Sequence, residues 1–375
     1  MINFFFDKNE LNFLTLKTTE VPKKKLSFNE RLKRINEWDG NLIFGAKKFH
    51  SSTSRLGKGK PASGELIREQ KKIVRDTNRE RFQRISKHWE DVKFCPVCKS
   101  KKKLLFFKRM GVDIYNCQNC RHRYMSPRPK FQKACELYSD DKSSADIWTS
   151  KNQKRVDYIK HEYSNNLIDL FIKKKDKNKI LDIGCGAGYF LDVSFKNAWK
   201  KCIGVDINNR YKKGYEDING VQFINSPIEK ISEKILGDNY DCISLQGVLE
   251  HLYDLDLILK KISKLLRPNG VVYIMIPNGF SLVSAILREK SPTFMWKHLN
   301  HFSPESLIGL FHKYKFESLH CETAVTEIDN IKSYLSGEPP YNGYGDPKNI
   351  FSFIDPSFIH KNLLGSRLIS IFRKK

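Results

Sequence analysis

The sequence predicts an α/β protein, a doubly wound and mostly parallel sheet preceded by a helical, cysteine-rich N-terminal region. Three observations predict it. From residue 151 onward, short apolar runs alternate with amphipathic stretches, as βαβ units require. The first of those runs ends in a glycine-rich turn, Gly184-Cys-Gly-Ala-Gly188, which opens a helix. Upstream, two Cys-x-x-Cys pairs, Cys95/Cys98 and Cys117/Cys120, set off a compact module.

The chain has 375 residues, 40% of them hydrophobic, which suits two or three domains and excludes a disordered or rod-like protein. No apolar run is long enough to span a membrane, and Asp7 and Glu10 interrupt the only candidate for a leader, so a cytoplasmic location is expected. Nine cysteines, four of them in the paired units, suit metal binding in a reducing compartment better than a disulfide framework. The net charge is +25, and residues 41–130 concentrate it, with 24 basic against 7 acidic groups. Such a stretch attracts phosphates or acidic glycans, but a composition rich in Lys, Asn, Ile and Phe also makes a chain basic without any anionic partner.

Residues 1–92 read as a basic, partly helical region of no evident role, with an exposed loop at 50–64 and a long helix at 65–92. Its apolar stripe is Leu66, Ile67, Ile73 and Val74, then Phe82, Ile85, Trp89 and Val92. The cysteine module occupies 93–130, a polar linker 131–150, and the α/β domain 151–375. Within that domain a helix carrying Val156, Ile159, Tyr163, Leu167 and Leu170 on one face precedes a strand at 179–182, and a second strand spans 202–207. The spacing of Leu255, Ile258, Leu259, Ile262 and Leu266 predicts a helix over 254–266 that Pro268-Asn-Gly270 stops, before a strand at 271–276. Ser303-Pro304 supplies a cap and first-turn pair for a helix to Lys313, and residues 367–373 alternate like a last strand.

Eighteen residues separate the cysteine pairs, the spacing of a four-cysteine zinc site. Leu104 to Lys108 and Val112 to Tyr115, on either side of Gly111, form a hairpin that brings Cys95, Cys98, Cys117 and Cys120 around one tetrahedral ion. Four thiolates leave no open position, so the zinc is expected to be structural.

The glycine turn departs from a dinucleotide fingerprint. Tyr189 stands where its third glycine belongs, Asp182 lies two residues before Gly184, and no Lys-Ser or Lys-Thr pair makes a phosphate loop. Asp206 ends the next strand, where a carboxylate accepts hydrogen bonds from the two hydroxyls of a ribose.

Five segments in order resemble the class I S-adenosylmethionine-dependent methyltransferases. They are Leu181-Asp-Ile-Gly-Cys-Gly-Ala-Gly188, Gly204-Val-Asp-Ile207, Tyr240-Asp-Cys-Ile-Ser-Leu-Gln-Gly-Val-Leu-Glu-His-Leu252, Leu265-Leu-Arg-Pro-Asn-Gly270 and Tyr273-Ile-Met-Ile-Pro-Asn278. The resemblance implies a seven-stranded Rossmann-like sheet with S-adenosylmethionine at its rim. It also implies that Asp182, Gly184, Cys185, Gly186 and Gly188 hold the cofactor's amino acid end, Asp206 the ribose, Ile207 and Ile228 the adenine faces, and that Gln246 sits beside the sulfonium. Pro227 replaces the Asp that many relatives use for the adenine amino group, leaving Asn225, Ser226 or a backbone carbonyl for that contact. Gly247 stands where some relatives place a Glu of a divalent-ion site, which speaks against a catalytic metal.

Methyl transfer to a hydroxyl or carbon acid needs a base, for which His251 is the first candidate, followed by His298 and His301. A cysteine ribbon followed by Tyr124-Met-Ser-Pro-Arg-Pro129 and such a domain resembles bacterial methyltransferases of glycans and other small molecules, which implies an acceptor of that kind. An RNA methyltransferase gripping phosphates through the basic ribbon is the alternative. The segment at Gln246-Gly-Val-Leu lacks the Pro-Pro-aromatic run of many base-amino methylating enzymes. A binding or scaffold protein that keeps the fold without transferring methyl groups is the third reading.

Overall fold

The computed structural model describes residues 88–109, 112–139, 141, 151–215, 218, 220–295, 297–327 and 356–375. The expected loop at 50–64 and most of the expected helix at 65–92 lie outside these residues, as does the rest of the linker after residue 141.

The described chain begins at the cysteine module. Strand β1 (Trp89–Glu90) pairs antiparallel with β5 (Arg128–Pro129), and β2 (Lys103–Arg109), β3 (Val112–Cys117) and β4 (Arg123–Ser126) form an antiparallel meander between them. The end of the expected 65–92 helix is therefore corrected. Trp89 and Glu90 are extended because Pro129 and Arg128 offer them ladder partners, which helical spacing cannot register. The two cysteine turns share a device: Lys99 (φ 61°) and Arg121 (φ 58°), each just past its second cysteine, turn the chain back in the left-handed region. The expected linker is corrected too, since its first part is helix α1 (Phe131–Ser139), with Ala134 buried.

The sheet of the α/β domain follows. Helix α2 (Lys151–Ile168) leads into β6 (Lys179–Ile183), α3 (Tyr189–Lys196), β7 (Lys201–Asp206), β8 (Val221–Asn225) and β9 (Tyr240–Gln246). Then come α4 (Leu255–Leu265), β10 (Leu266–Pro277), β11 (Asn300–His301), α5 (Pro304–Lys313), β12 (Phe316–Ala324) and β13 (Arg367–Lys374). Seven strands are ordered β12-β13-β10-β9-β6-β7-β8. Five run parallel from β8 to β10, and β13 runs antiparallel to both β10 and β12. Both faces are covered, so β6 and β9 are buried at nearly every position instead of alternating.

Local signals hold where they are strong. The Asp254 side chain accepts from the Leu257 amide at 3.0 Å and starts α4, whose predicted apolar face is buried. Ser303 and Ser306 form a capping box at the start of α5. Pro268-Asn-Gly270 does stop α4, but as an irregularity inside β10, which pairs through Leu266 and resumes at Val271.

One connection crosses the domain boundary read from the sequence. β11 leaves the α/β domain and becomes the edge of the ribbon's sheet, giving the order β11-β4-β3-β2.

Candidate active site

Of the residues expected on the nucleoside side, Asp182, the glycines, Asp206, Ile207 and Gln246 stand at the C-terminal ends of β6, β7 and β9, where parallel sheets open a crevice. Gly184, Gly186 and Gly188 take φ of 72°, 52° and 80°. At Gly184 a Cβ would lie 2.1 Å from Cγ2 of Val248, so only glycine fits between the end of β6 and the loop after β9. The loop is tied to the second acid: the Gly186 amide donates to Asp206 Oδ2 at 2.9 Å, and the Asn208 amide donates to Oδ1 at 2.8 Å.

Asp182 and Asp206 stand near the ends of the neighbouring strands β6 and β7, and burial, followed by the charges of both acids, pushes the Cys185 thiol upward. Asp182 is buried; Ser244 donates to it, and its Oδ1 has no partner. Burial raises its carboxyl to about 7. A lone buried carboxylate oxygen beside a glycine turn suits a ligand ammonium, which would both pair and ionise it.

That arrangement makes a pH prediction. Below about 7 the ligand-free Asp182 carries a proton, while an α-amino group is charged across pH 5–7. A ligand whose ammonium pairs with Asp182 would have to displace that proton. The affinity of such a ligand, measured by calorimetry, is expected to fall up to about tenfold per pH unit from 7 to 5, and Asp182→Asn should flatten the profile.

Gln246 ends β9 within a polar chain that the sequence did not disclose. Tyr273 donates to the Ser164 hydroxyl at 2.9 Å, which lies 3.4 Å from Gln246 Oε1, and Gln246 Nε2 donates to Ser244 at 3.0 Å. His161 of α2 also bonds Gln246, and burial holds its imidazole neutral. Ser164 and His161 look like ordinary polar helix positions in the sequence; only the packing of α2 over the strand ends reveals them. Ile207 is half-buried at the rim, its carbonyl accepting from Asn225 Nδ2 at 3.1 Å, whereas Ile228 is buried in the core on the α4 side.

The structure places the three candidate histidines, expected on the acceptor side, in one row. The rings of His251 and His298 meet edge to face at 4.9 Å. His251 Nδ1 lies 2.7 Å from the Lys297 carbonyl and His298 Nδ1 lies 2.7 Å from the Thr293 carbonyl. A carbonyl only accepts, so both Nδ1 atoms carry protons and both Nε2 atoms keep lone pairs. Burial depresses His251 to about 4 and holds His298 well below its ordinary value, so both rings are neutral bases. Tyr138 of α1 reaches the same Lys297 carbonyl at 3.3 Å, and Lys297 pairs with Asp141 at 2.7 Å.

His301 meets the far side of His298, the two rings edge to face at 6.4 Å. It lies in β11 opposite Arg123, buried with its ring against Phe294 at 4.8 Å, and belongs to the wall around the pair.

Glu250, which the sequence reading passed over, lies beneath the pair. Its Oε1 is 3.9 Å from His251 Nε2, its Oε2 has no partner, and burial raises its carboxyl to about 7. Glu250, His251 and His298 offer one ligand atom each within 4.8 Å of one another. Three donors for a divalent cation thus assemble without any carboxylate at Gly247.

The cysteine cluster is the second site. The Sγ atoms of Cys95 and Cys120 are 3.6 Å apart and those of Cys98 and Cys117 are 3.5 Å apart, and the chain has no disulfide among its described cysteines. Metal–sulfur bonds of about 2.3 Å give a tetrahedron with edges of roughly 3.8 Å, so the four thiols fit an ion. The Cys120 thiol and the amides of Cys98 and Val97 lower the Cys95 thiol, while the same contact and burial raise Cys120.

A seven-stranded sheet with one reversed strand, and at its rim a glycine turn between two acids, make the Rossmann-like architecture of a methyltransferase domain. Residues 155–321 match the family model described as a methyltransferase domain. Among curated relatives, a ubiquinone biosynthesis O-methyltransferase of Pelagibacter ubique is 28% identical over 155 residues, 40% of this chain and 63% of that protein. Its counterpart in Bartonella bacilliformis is 30% identical over 118 residues, 28% of this chain and 46% of that protein. The chain thus spans less than two thirds of the length of these relatives. A solved methyltransferase from Archaeoglobus fulgidus aligns with a TM-score of 0.40 at 20% identity, covering 58% of this chain and 93% of that one. Among the described residues no helix is long and apolar enough to cross a membrane.

Proposed function

We propose that the protein transfers the methyl group of S-adenosylmethionine to a glycan, sugar nucleotide or other small molecule, and that a structural zinc ion holds its ribbon. Asp182 with Gly184, Cys185, Gly186 and Gly188 binds the amino acid end of the cofactor, Asp206 the ribose, Ile207 and Ile228 border the adenine, and Gln246 flanks the sulfonium. The acceptor's nucleophile attacks the methyl carbon in line as the carbon–sulfur bond breaks and its electron pair stays on sulfur. The acceptor proton passes to the Nε2 lone pair of His251 or His298. The O-methyltransferase names of the relatives favour an oxygen nucleophile. Should a divalent cation occupy Glu250, His251 and His298, it would acidify the acceptor hydroxyl, and the rate would become sensitive to chelators.

The observation that carries the small-molecule reading over the RNA one is the use of the ribbon. Its β4 edge is paired with β11, and Phe107, Val112, Ile114 and Met125 pack on Phe294 and Leu299 of the same chain. That face has no room for a nucleic acid. Protein incubated with labelled cofactor and cell extract is expected to label a nuclease-resistant, low-molecular-weight or glycan fraction. Label lost on nuclease treatment, with an RNA affinity that falls steeply with salt, would establish the RNA reading instead. Cofactor binding with no turnover on any fraction would favour a scaffold.

A further inference from the structure

We propose that the cysteine ribbon is the outer wall of the acceptor side, and that Asn300 is the positioning residue through which it holds His298 against His251, a role that rests on the methyl-transfer reading above. Asn300 makes two commitments at once. Its Nδ2 donates to the carbonyl of Leu252, next to His251, at 2.9 Å, which leaves Oδ1 to accept from His122 Nε2 at 3.3 Å. His122 lies two residues past Cys120, on the ribbon turn that would hold the ion.

The adjacent Leu299 repeats the link through backbone. Its amide donates to the Glu250 carbonyl at 2.8 Å, and its carbonyl accepts from the Met125 amide of β4 at 3.0 Å. Residues 299–300, immediately after His298, thus join one ribbon strand to the turn that carries Glu250 and His251. The next layer is equally shared. The His122 ring lies 4.7 Å from Phe302. The Arg123 guanidinium sits between Phe106 and Phe280, at 3.9 and 3.7 Å, and donates to the Gly279 carbonyl at 2.7 Å. A domain that was merely tethered would touch at its rim; here the ribbon shares buried hydrogen bonds with the segment that bears the bases. The short β11 has two residues, and β4 is its strand partner.

The test uses the full chain, metal-loaded and stripped by a chelator, and follows amide exchange by mass spectrometry. Stripping is expected to speed exchange in residues 249–254 and 291–303 by roughly tenfold or more while residues 180–206 change little, because two buried hydrogen bonds and a strand pairing are released on one side only. Asn300→Ala with its metal retained should loosen the same segments, shift the imidazole proton resonances of His251 and His298, and leave cofactor affinity within about threefold of the parent. Exchange in 291–303 that is indifferent to the metal, or that rises equally in 180–206, would overturn the coupling. A loaded protein that fails to bind the cofactor would instead refute the methyltransferase reading and leave the exchange result standing.

Discussion

Asp206→Ala is expected to lower S-adenosylmethionine affinity by about a hundredfold or more, since each charge-assisted hydrogen bond to a ribose hydroxyl contributes roughly 1.5–3 kcal/mol. The loss has a second source in the protein itself. Asp206 also holds the Gly186 amide, so its removal frees the glycine loop that approaches the cofactor. Asp206→Asn keeps one acceptor oxygen and should lose less. Calorimetric titration measures the affinity, and a thermal melt shows whether the variant is folded. A folded Asp206→Ala protein with cofactor affinity within threefold of the parent would rule out the site as drawn.

The second large effect concerns the ribbon. Cys117→Ser removes one of four thiolates, and elemental analysis is expected to show loss of stoichiometric zinc. Structural zinc contributes roughly 10–16 kcal/mol to the folding of isolated finger peptides, so even a fraction of that value should lower the melting midpoint by about 10 °C or more. Because Cys95, Cys117 and Tyr124 belong to the same buried cluster as Leu245, Leu252 and Leu255, melting should remain a shared event and not a separate ribbon transition. Wild-type protein purified without zinc, or a variant with an unchanged midpoint, would remove the structural ion from this account.

Much of the fold was legible in the sequence because its signals are local. A glycine turn between an apolar strand and a helix, a capping serine before a proline, and two cysteine pairs at fixed spacing each encode their structure within one short stretch of chain. Helix α4 and helix α5 follow their caps closely. The expected linker and the helix end at Trp89 and Glu90 failed for one common reason. Residues 89–90 are extended by a partner 38 or more positions away, and α1 packs against the Glu250–His251 turn through Tyr138. Neither leaves a periodic trace in its own segment.

The candidate site divides along the same line. By itself the sequence placed Asp182, the three glycines and Asp206 at the ends of two consecutive strands, which the sheet pairs side by side. Only the tertiary structure decided the acceptor end. The pairing of His298 with His251, the buried Glu250 beside them and the annexation of β11 by the ribbon depend on contacts between residues 47 to 178 positions apart. Such contacts are set by packing and hydrogen-bond satisfaction in three dimensions, and no pattern within a single stretch of chain records them.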